Sequence, residues 1–307
     1  MSVKIALWGA GSLSKQVAKA ISNNSNFELV GVASRHFFNA QNTANELCIR
    51  AYESYEDLLS DDCIDFVYVS TPTNCHYNDM KRILLSNKNV VCEKPFVESS
   101  EEAQEIFEIA NKHNKVVVDG LWSLYMPLFN YIKAVTHDLG KLKFASASLG
   151  YPTIIKNKGV YESKYQLWDY QIYPVSIMIE LYGLPDNIKE KSKYNHNITF
   201  RNISYLSFKN GGVARVHSSL CHRTSYCFFS LHSKGIVISR KWWFGNQKVF
   251  VFRFFKKPII RLFSHEVNGY EYEFNEAFER YTSNECKYVS NNSTLNILSV
   301  LDRIKKL

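Results

Sequence analysis

Between Lys191 and His265 the chain contains no aspartate and no glutamate. The same stretch holds 14 lysines and arginines, leaving 23 basic against 29 acidic residues elsewhere, so the formal charge of +8 combines a strongly basic segment with a mildly acidic remainder. One part of the molecule therefore carries a positive field suited to anionic ligands. Also missing is any C-x-x-C pair or His/Cys cluster. The seven cysteines form an odd set, which excludes a zinc ribbon or a disulfide framework and reads as reduced, mostly buried thiols. No apolar run is long enough to cross a bilayer, no basic leader precedes the first strand, and no repeat or low-complexity tract occurs. A soluble cytoplasmic protein without membrane insertion is the expectation.

What is present is a core-forming composition, 46% apolar over 307 residues, enough for two domains. The apolar run Val3-Lys4-Ile5-Ala6-Leu7-Trp8 leads into Gly9-Ala10-Gly11-Ser12-Leu13-Ser14, after which Val17, Ala18 and Ile21 recur at helical spacing. A strand, a glycine turn and a helix start in that order form a phosphate cradle: Gly9 permits the turn, Gly11 lets the backbone approach a pyrophosphate, and the helix offers unpaired N–H groups. Ser14 stands where a third glycine is expected and should loosen helix–strand packing slightly. The second strand ends at Ser34-Arg35. An acid there would bind a ribose 2′-hydroxyl, whereas an Arg accommodates a 2′-phosphate, so NADP is favoured over NAD.

Strand and helix patterns then alternate, with strands over 64–70, 89–92 and 116–119 and a Ser99/Glu102 capping box opening a helix to about His113. The expectation is a doubly wound parallel sheet over residues 1–121. Beyond Trp122 come a helix near 127–138, a half-buried strand at 143–149, a helix from Trp168 to Tyr182, and short strand-like runs over 197–252 separated by turns. These predict a second, α+β domain over 122–307, built on a mostly antiparallel sheet with one face against the helix at 168–182. Helices near 272–283 and 294–305 close the chain.

The stretch Glu93-Lys94-Pro95 places a cation where a buried parallel strand ends, the position at which open α/β sheets bind ligands. By itself a Glu-Lys-Pro can equally be a strand-end salt bridge with a turn. Together with Gly9-Ala10-Gly11, Ser34-Arg35, Tyr52-Glu53-Ser54-Tyr55-Glu56-Asp57-Leu58-Leu59, Thr71-Pro72 with His76-Tyr77, Trp122 with Pro127, Asp169 with Tyr173-Pro174, and Asn268-Gly269-Tyr270, it makes the chain resemble the glucose–fructose oxidoreductase / inositol dehydrogenase family. The similarity is greatest to its dihydrodiol-dehydrogenase-like branch and runs over essentially the whole length.

The resemblance implies a nicotinamide-dependent oxidoreductase acting on a polyol, a sugar or a related hydroxyl/carbonyl compound. It implies that Lys94 reaches both the nicotinamide ribose and the reacting oxygen, that Tyr173 is the acid/base and that Asp169 orients. It also extends the cofactor site beyond Gly9, Gly11, Ser34, Arg35 and Lys94 to Ser12, Leu13, Thr71, Pro72, Asn74, His76 and Glu93. The chemistry is coherent. Hydride transfer to a carbonyl develops negative charge on oxygen, so a proton donor and a fixed cation must meet there. A phenol, ordinarily at ~10, needs such a cation to work near neutrality. Asp169 and Tyr173 are four residues apart and share a helical face. Tyr173 can also be read as a core aromatic, and Asp169 as a helix N-cap.

Three features depart from the family pattern. Ser163-Lys164-Tyr165-Gln166-Leu167-Trp168 and Gln171 replace glycines, and Leu124 replaces a basic residue. Bulk at the glycine positions reshapes or closes a pocket. It would also suit a catalytically inactive dinucleotide-binding regulator, although retention of Lys94, Asp169 and Tyr173 favours an enzyme. In the basic segment, Ser239-Arg240-Lys241-Trp242-Trp243-Phe244 and Arg253-Phe254-Phe255-Lys256-Lys257 interleave aromatics with cations. The aromatics are expected to enter the sheet core or a homodimer interface, and the cations to face water or an anionic sugar or nucleotide sugar. No nucleic-acid motif accompanies them.

Overall fold

The computed structural model describes residues 2–152, 167–195, 198–221, 228–240, 247–283 and 286–307. The replaced glycines at 163–166 and the cation–aromatic run at 241–244 lie outside them. Two compact units emerge: residues 1–125 with 266–295, and residues 126–265 with 296–307. The division differs from a single cut at residue 121, because a late segment returns to the first unit.

In the first unit, strands β1 (Val3–Trp8), β2 (Phe27–Ala33), β3 (Arg50–Ala51), β4 (Phe66–Val69), β5 (Asn89–Glu93) and β6 (Val117–Gly120) form a parallel sheet in the order β3-β2-β1-β4-β5-β6. The crossovers carry helices α1 (Ser12–Ser22), α2 (Phe37–Leu47), α3 (Tyr55–Leu59), α4 (Thr73–Leu85) and α5 (Ser100–Lys112). β4 and β5 are buried at every residue, as central strands covered on both faces must be. The chain reverses its direction of travel across the sheet between β1 and β4, which makes the carboxyl ends of these strands the ligand-binding edge. Serines hold the helix starts: Ser54 Oγ accepts the Asp57 N–H at 3.0 Å and Ser99 Oγ accepts the Glu102 N–H at 3.2 Å.

Ser14 does not loosen the first turn. It is fully buried, its hydroxyl donates to the Gly9 carbonyl at 2.9 Å, and it lies 2.8 Å from Ser70 Oγ. A polar staple between the glycine turn and the end of β4 does the work of close glycine packing. The cysteines are also less buried than expected: Cys92 is buried, whereas Cys48, Cys63 and Cys286 are exposed.

The second unit holds an eight-stranded sheet, β7 (Leu142–Gly150), β8 (Asn187–Asn195), β9 (Ile198–Ser207), β10 (Val213–Ser219), β11 (Phe228–His232), β12 (Gly235–Arg240), β13 (Gln247–Arg253) and β14 (Ile259–Phe263), in the order β14-β13-β12-β11-β7-β10-β9-β8. All neighbours are antiparallel except β7 and β10. Helix α6 (Pro127–Asp138) precedes it, and α7 (Trp168–Tyr182) packs on β7 and β10. The two closing helices are α8 (Glu271–Ser283) and α9 (Asn291–Lys305). Among the described residues no helix is long and apolar enough to cross a membrane, and no group of acidic, His or Cys side chains is arranged to hold a metal.

The aromatics of the basic segment do not all enter the core. Phe250 is half-buried, Phe252 and Phe254 are exposed, and Phe255 lies wholly in solvent. Alternation places neighbouring side chains on opposite faces, but only one face of this sheet is covered by α7.

The tightest backbone approach in the first sheet is at Gly120, where a Cβ would lie 2.7 Å from the Cys92 carbonyl oxygen and 3.3 Å from the Glu93 Cα. Backbone cannot yield as a side chain can, so Gly120→Ala should lower stability by ~1–3 kcal/mol. Urea unfolding checks this, and an unchanged midpoint would show that β5 and β6 can part freely.

Candidate functional site

The register of the first sheet pairs Trp8 with Ala33 and with Val69, and Val69 with Cys92. Four turns therefore leave one edge side by side, carrying Gly9–Gly11, Ser34 and Arg35, Thr71–Asn74, and Glu93–Lys94. Gly9 adopts φ +116°, and a Cβ there would sit 2.9 Å from Ser70 Oγ and 3.3 Å from the Ser70 carbonyl carbon. Gly11 is the N-cap of α1, with no side-chain cap and no acid in the first turn. A Cβ on Gly11 would meet no heavy atom within 4 Å. The amide groups around Ser12 and Leu13 thus open onto free space at the positive end of a helix dipole, which suits a pyrophosphate.

Ser34 is half-buried and Arg35 exposed. The Arg35 guanidinium forms no ion pair among the described residues, which suits a 2′-phosphate. Its backbone faces the Tyr55 hydroxyl, whose pKa is raised chiefly by burial. The Tyr55 ring stacks on buried Trp8 at 3.9 Å. The residues at this edge therefore fit a phosphorylated nicotinamide dinucleotide.

At the end of β5, buried Glu93 accepts the Tyr68 hydroxyl at 2.6 Å and the Lys94 N–H at 3.0 Å. Lys94 is half-buried, and the Lys94–Pro95 peptide is cis. His76 is only 1% exposed. Its Nδ1 lies 3.0 Å from the Pro95 carbonyl and 3.2 Å from that of Phe96, and its Nε2 lies 2.7 Å from the Thr71 carbonyl. The ring thus ties the turn after β4 to the turn that carries Lys94, and it positions backbone where the sequence pattern suggested a cofactor contact. Burial lowers the His76 pKa against three carbonyls that favour the proton. Thr71 Oγ1 donates to Asp79 at 2.6 Å, while Pro72 and Asn74 are exposed at the start of α4.

Behind Glu93 lies an acid cluster that local sequence signals did not reveal. Asp119 and Glu273 are both buried. Burial, and then the neighbouring Glu93 charge, push Glu273 well above the usual carboxylate range. Burial likewise raises Asp119 to about 7, even though the Thr294 hydroxyl donates to it at 3.0 Å. Glu271, by contrast, accepts the N–H groups of Glu266, Val267, Asn268 and Gly269, the shortest at 2.7 Å. Burial works against it, but backbone N–H donors, those of Val267, Asn268 and Gly269 among them, hold its pKa low. The Asn268-Gly269-Tyr270 motif was the one available hint that this segment serves the first unit.

In the second unit, Leu167 is the N-cap of α7, so Asp169 is its second residue and not its cap. Asp169 is half-buried and Tyr173 is 7% exposed. They share one face of the helix, one turn apart. Pro174 follows inside the helix and contributes no N–H to it. Gln171 is fully buried and donates from Nε2 to Asn202 Oδ1 at 2.9 Å. Its bulk is accommodated against the sheet, on the side of the helix away from Asp169 and Tyr173. Leu124 is fully buried in a short helical turn, Trp122–Leu124, of the first unit.

The oxidoreductase family described by its NAD-binding Rossmann fold matches residues 3–121. Trans-1,2-dihydrobenzene-1,2-diol dehydrogenase of Xenopus tropicalis is 31% identical over 155 residues, 49% of this chain and 47% of that protein. The chain thus spans about half the length of that relative. The NADP(+)-dependent scyllo-inositol 2-dehydrogenase of Bacillus subtilis is 22% identical over 73% of this chain and 71% of its own. Among solved structures, the 3-ketoreductase KijD10 of Actinomadura kijaniata, complexed with NADP and TDP-benzene, covers 100% of this chain and 98% of its own with a TM-score of 0.87 at 17% identity. That likeness establishes the fold.

Because the Asp119 carboxyl binds its proton more tightly folded than unfolded, its contribution to stability is full below pH ~4 and is lost as pH rises toward about 7. Asp119→Asn removes the titration and keeps an acceptor for Thr294. The urea midpoint of the variant should therefore gain on the parent between about pH 4 and about pH 7. A constant difference across that range would mean that Asp119 does not titrate there.

Proposed function

We propose that this chain, whose residues 3–121 match the oxidoreductase family with the NAD-binding Rossmann fold, is an NADP-dependent oxidoreductase. It acts on a hydroxyl or carbonyl of a sugar, nucleotide sugar or polyol. The observation that carries this reading is the edge of the first sheet, where an uncapped helix start, the open face of Gly11, an unpaired exposed Arg35 and the anchored Lys94 turn stand in one row. A nicotinamide dinucleotide bound there supplies or accepts the hydride. Gly9, Gly11, Ser12 and Leu13 hold pyrophosphate, and Ser34 and Arg35 take the ribose phosphate. Thr71, Pro72 and Asn74 border the cofactor, while Glu93 and His76 hold the turn of Lys94.

The Lys94 ammonium stabilises negative charge on the reacting oxygen. Tyr173 Oη takes the hydroxyl proton in oxidation and returns it in reduction, and Asp169 orients the reacting group. The basic second unit favours an anionic substrate. Cytoplasmic location accords with the reduced thiols.

Assembly follows from the outward face of the second sheet. Register places Phe229, Ile238, Phe250 and Ile260 in one row across β11–β14, with Phe144 and Leu231 in the next. The central members are only half-buried in a single chain. A second copy stacked there completes their burial, and solution mass by light scattering tests it.

Titration with NADPH and NADH, followed by fluorescence, tests the cofactor reading. Removing a charge-assisted phosphate contact costs ~1.5–3 kcal/mol, so Arg35→Ala should weaken NADPH ~10- to 100-fold and leave NADH nearly unchanged. Lys94→Ala should abolish turnover while NADPH affinity stays within about tenfold. Failure to bind either dinucleotide would leave the catalytically inactive, partner-binding reading in its place.

A further inference from the structure

The buried acids behind the Lys94 turn differ in the hydrogen-bond donors that serve them. Glu93 accepts the Tyr68 hydroxyl at 2.6 Å and the Lys94 N–H at 3.0 Å. Asp119 accepts the Thr294 hydroxyl at 3.0 Å, Glu276 accepts Arg280 Nε at 2.9 Å, and Glu271 accepts four backbone N–H groups. Glu273 is fully buried, and among the described residues neither of its carboxyl oxygens accepts a hydrogen bond. The group that faces it is the Tyr68 hydroxyl, whose single hydrogen is already directed at Glu93. A carboxylate stripped of both water and donors is the costliest form a buried acid can take. In this cluster the proton therefore belongs on Glu273 and the negative charge on Glu93, where two donors stabilise it.

A neutral Glu273 has an O–H to donate, and Tyr68 Oη has lone pairs to accept it. One directed chain then satisfies each of its members: Glu273 donates to Tyr68, Tyr68 donates to Glu93 Oε1, and the Lys94 N–H donates to Glu93 Oε2. We propose that Glu273 is a positioning residue for Lys94, a neutral carboxylic acid that directs the Tyr68 hydroxyl onto Glu93 and so keeps Glu93 an anion beside the Lys94 amide. Its bearing on catalysis rests on the role proposed above for Lys94; the placement of the proton does not.

The surrounding charges favour the same arrangement. Burial first, then the charges of Glu93 on β5, Asp119 on β6 and Glu271 on its own helix, raise the Glu273 pKa, and Tyr68 opposes them. Cys92 and Tyr125 also face it, and burial pushes both up, so they stay neutral. Tyr270 adjoins Tyr68 from the turn before α8. Arg280, on the same helix, is engaged by Glu276 and by the Val117 carbonyl at 3.1 Å. The acid form of Glu273 thus stands through neutral pH and is lost on the alkaline side. Two carboxylates would then compete for the one Tyr68 hydrogen, and the Lys94 amide would lose its fixed acceptor.

Two measurements on the full chain test this, and neither needs turnover, so a failure of the oxidoreductase reading leaves both readable. Infrared spectra at pH ~8, where Asp119 at about 7 has mostly ionised, should contain a protonated-carboxyl band that disappears in Glu273→Gln. Hydrogen exchange at the Lys94 amide, followed by mass spectrometry, should be about tenfold faster or more in Glu273→Leu than in the parent. Glu273→Gln keeps a donor for Tyr68 and should exchange there at the parent's rate. As pH rises, the parent should lose protection at Lys94 relative to Glu273→Gln, which has no proton to give up. Tyr68→Phe breaks the chain at a second point and should speed Lys94 exchange as Glu273→Leu does. Unaltered exchange in β1 shows that a variant folds. A parent spectrum without the band overturns the proposal. So does parent-like exchange at Lys94 in either folded variant, Glu273→Leu or Tyr68→Phe, or an equal alkaline loss of protection in the parent and Glu273→Gln.

Discussion

The parallel register that sets Trp8, Ala33, Val69 and Cys92 side by side gathers four turns from four distant parts of the chain at one edge of the sheet. None of their side chains could act together without it. Parallel strands need long crossovers, so neighbours in this row lie 25, 61 and 23 residues apart in sequence. The burial of β4 and β5 holds the register, since a slip of one residue would drive polar groups into a covered face.

Around that edge the polar groups fall into two sets with opposite tasks. One set is left open: the uncapped start of α1, the bare Cα of Gly11 and the unpaired Arg35 guanidinium. The other set is closed. Ser14 and Ser70 staple the glycine turn, His76 ties three carbonyls across two turns, and Glu93 takes the Tyr68 hydroxyl and the Lys94 amide. Rigid closed contacts make the open ones useful, because a ligand then meets donors that need little reordering. Burial, together with the nearby Glu93 charge, increases proton affinity at Asp119 and Glu273, whose pKa values rise so that like charges need not share a dry interior.

The second unit solves a different packing problem. One face of its sheet is covered by α7 and absorbs polar as well as apolar groups, Gln171 reaching Asn202 in a fully buried contact. The other face and the β14 edge keep aromatic and aliphatic side chains at the surface among lysines.

Much of the first unit was legible because its signals are local. Strand, glycine turn and helix are contiguous at residues 3–22, and the cation after β5 follows an unbroken apolar run, so period and punctuation suffice to locate both. The helices at 127–138 and 168–182 were equally clear from their spacing and end signals. Composition alone established the basic segment. What sequence could not determine depended on partners far along the chain. The role of Ser14 rests on Ser70, the acid cluster needs Asp119, Glu273 and Thr294 to meet, and residues 266–295 return to the first unit. Alternation in the basic strands showed which residues share a face, but whether a face is buried depends on what else packs there. Phe254 and Phe255, expected in the sheet core or a homodimer interface, are outside the core of the single chain, because only tertiary structure decides which side of a sheet a helix covers.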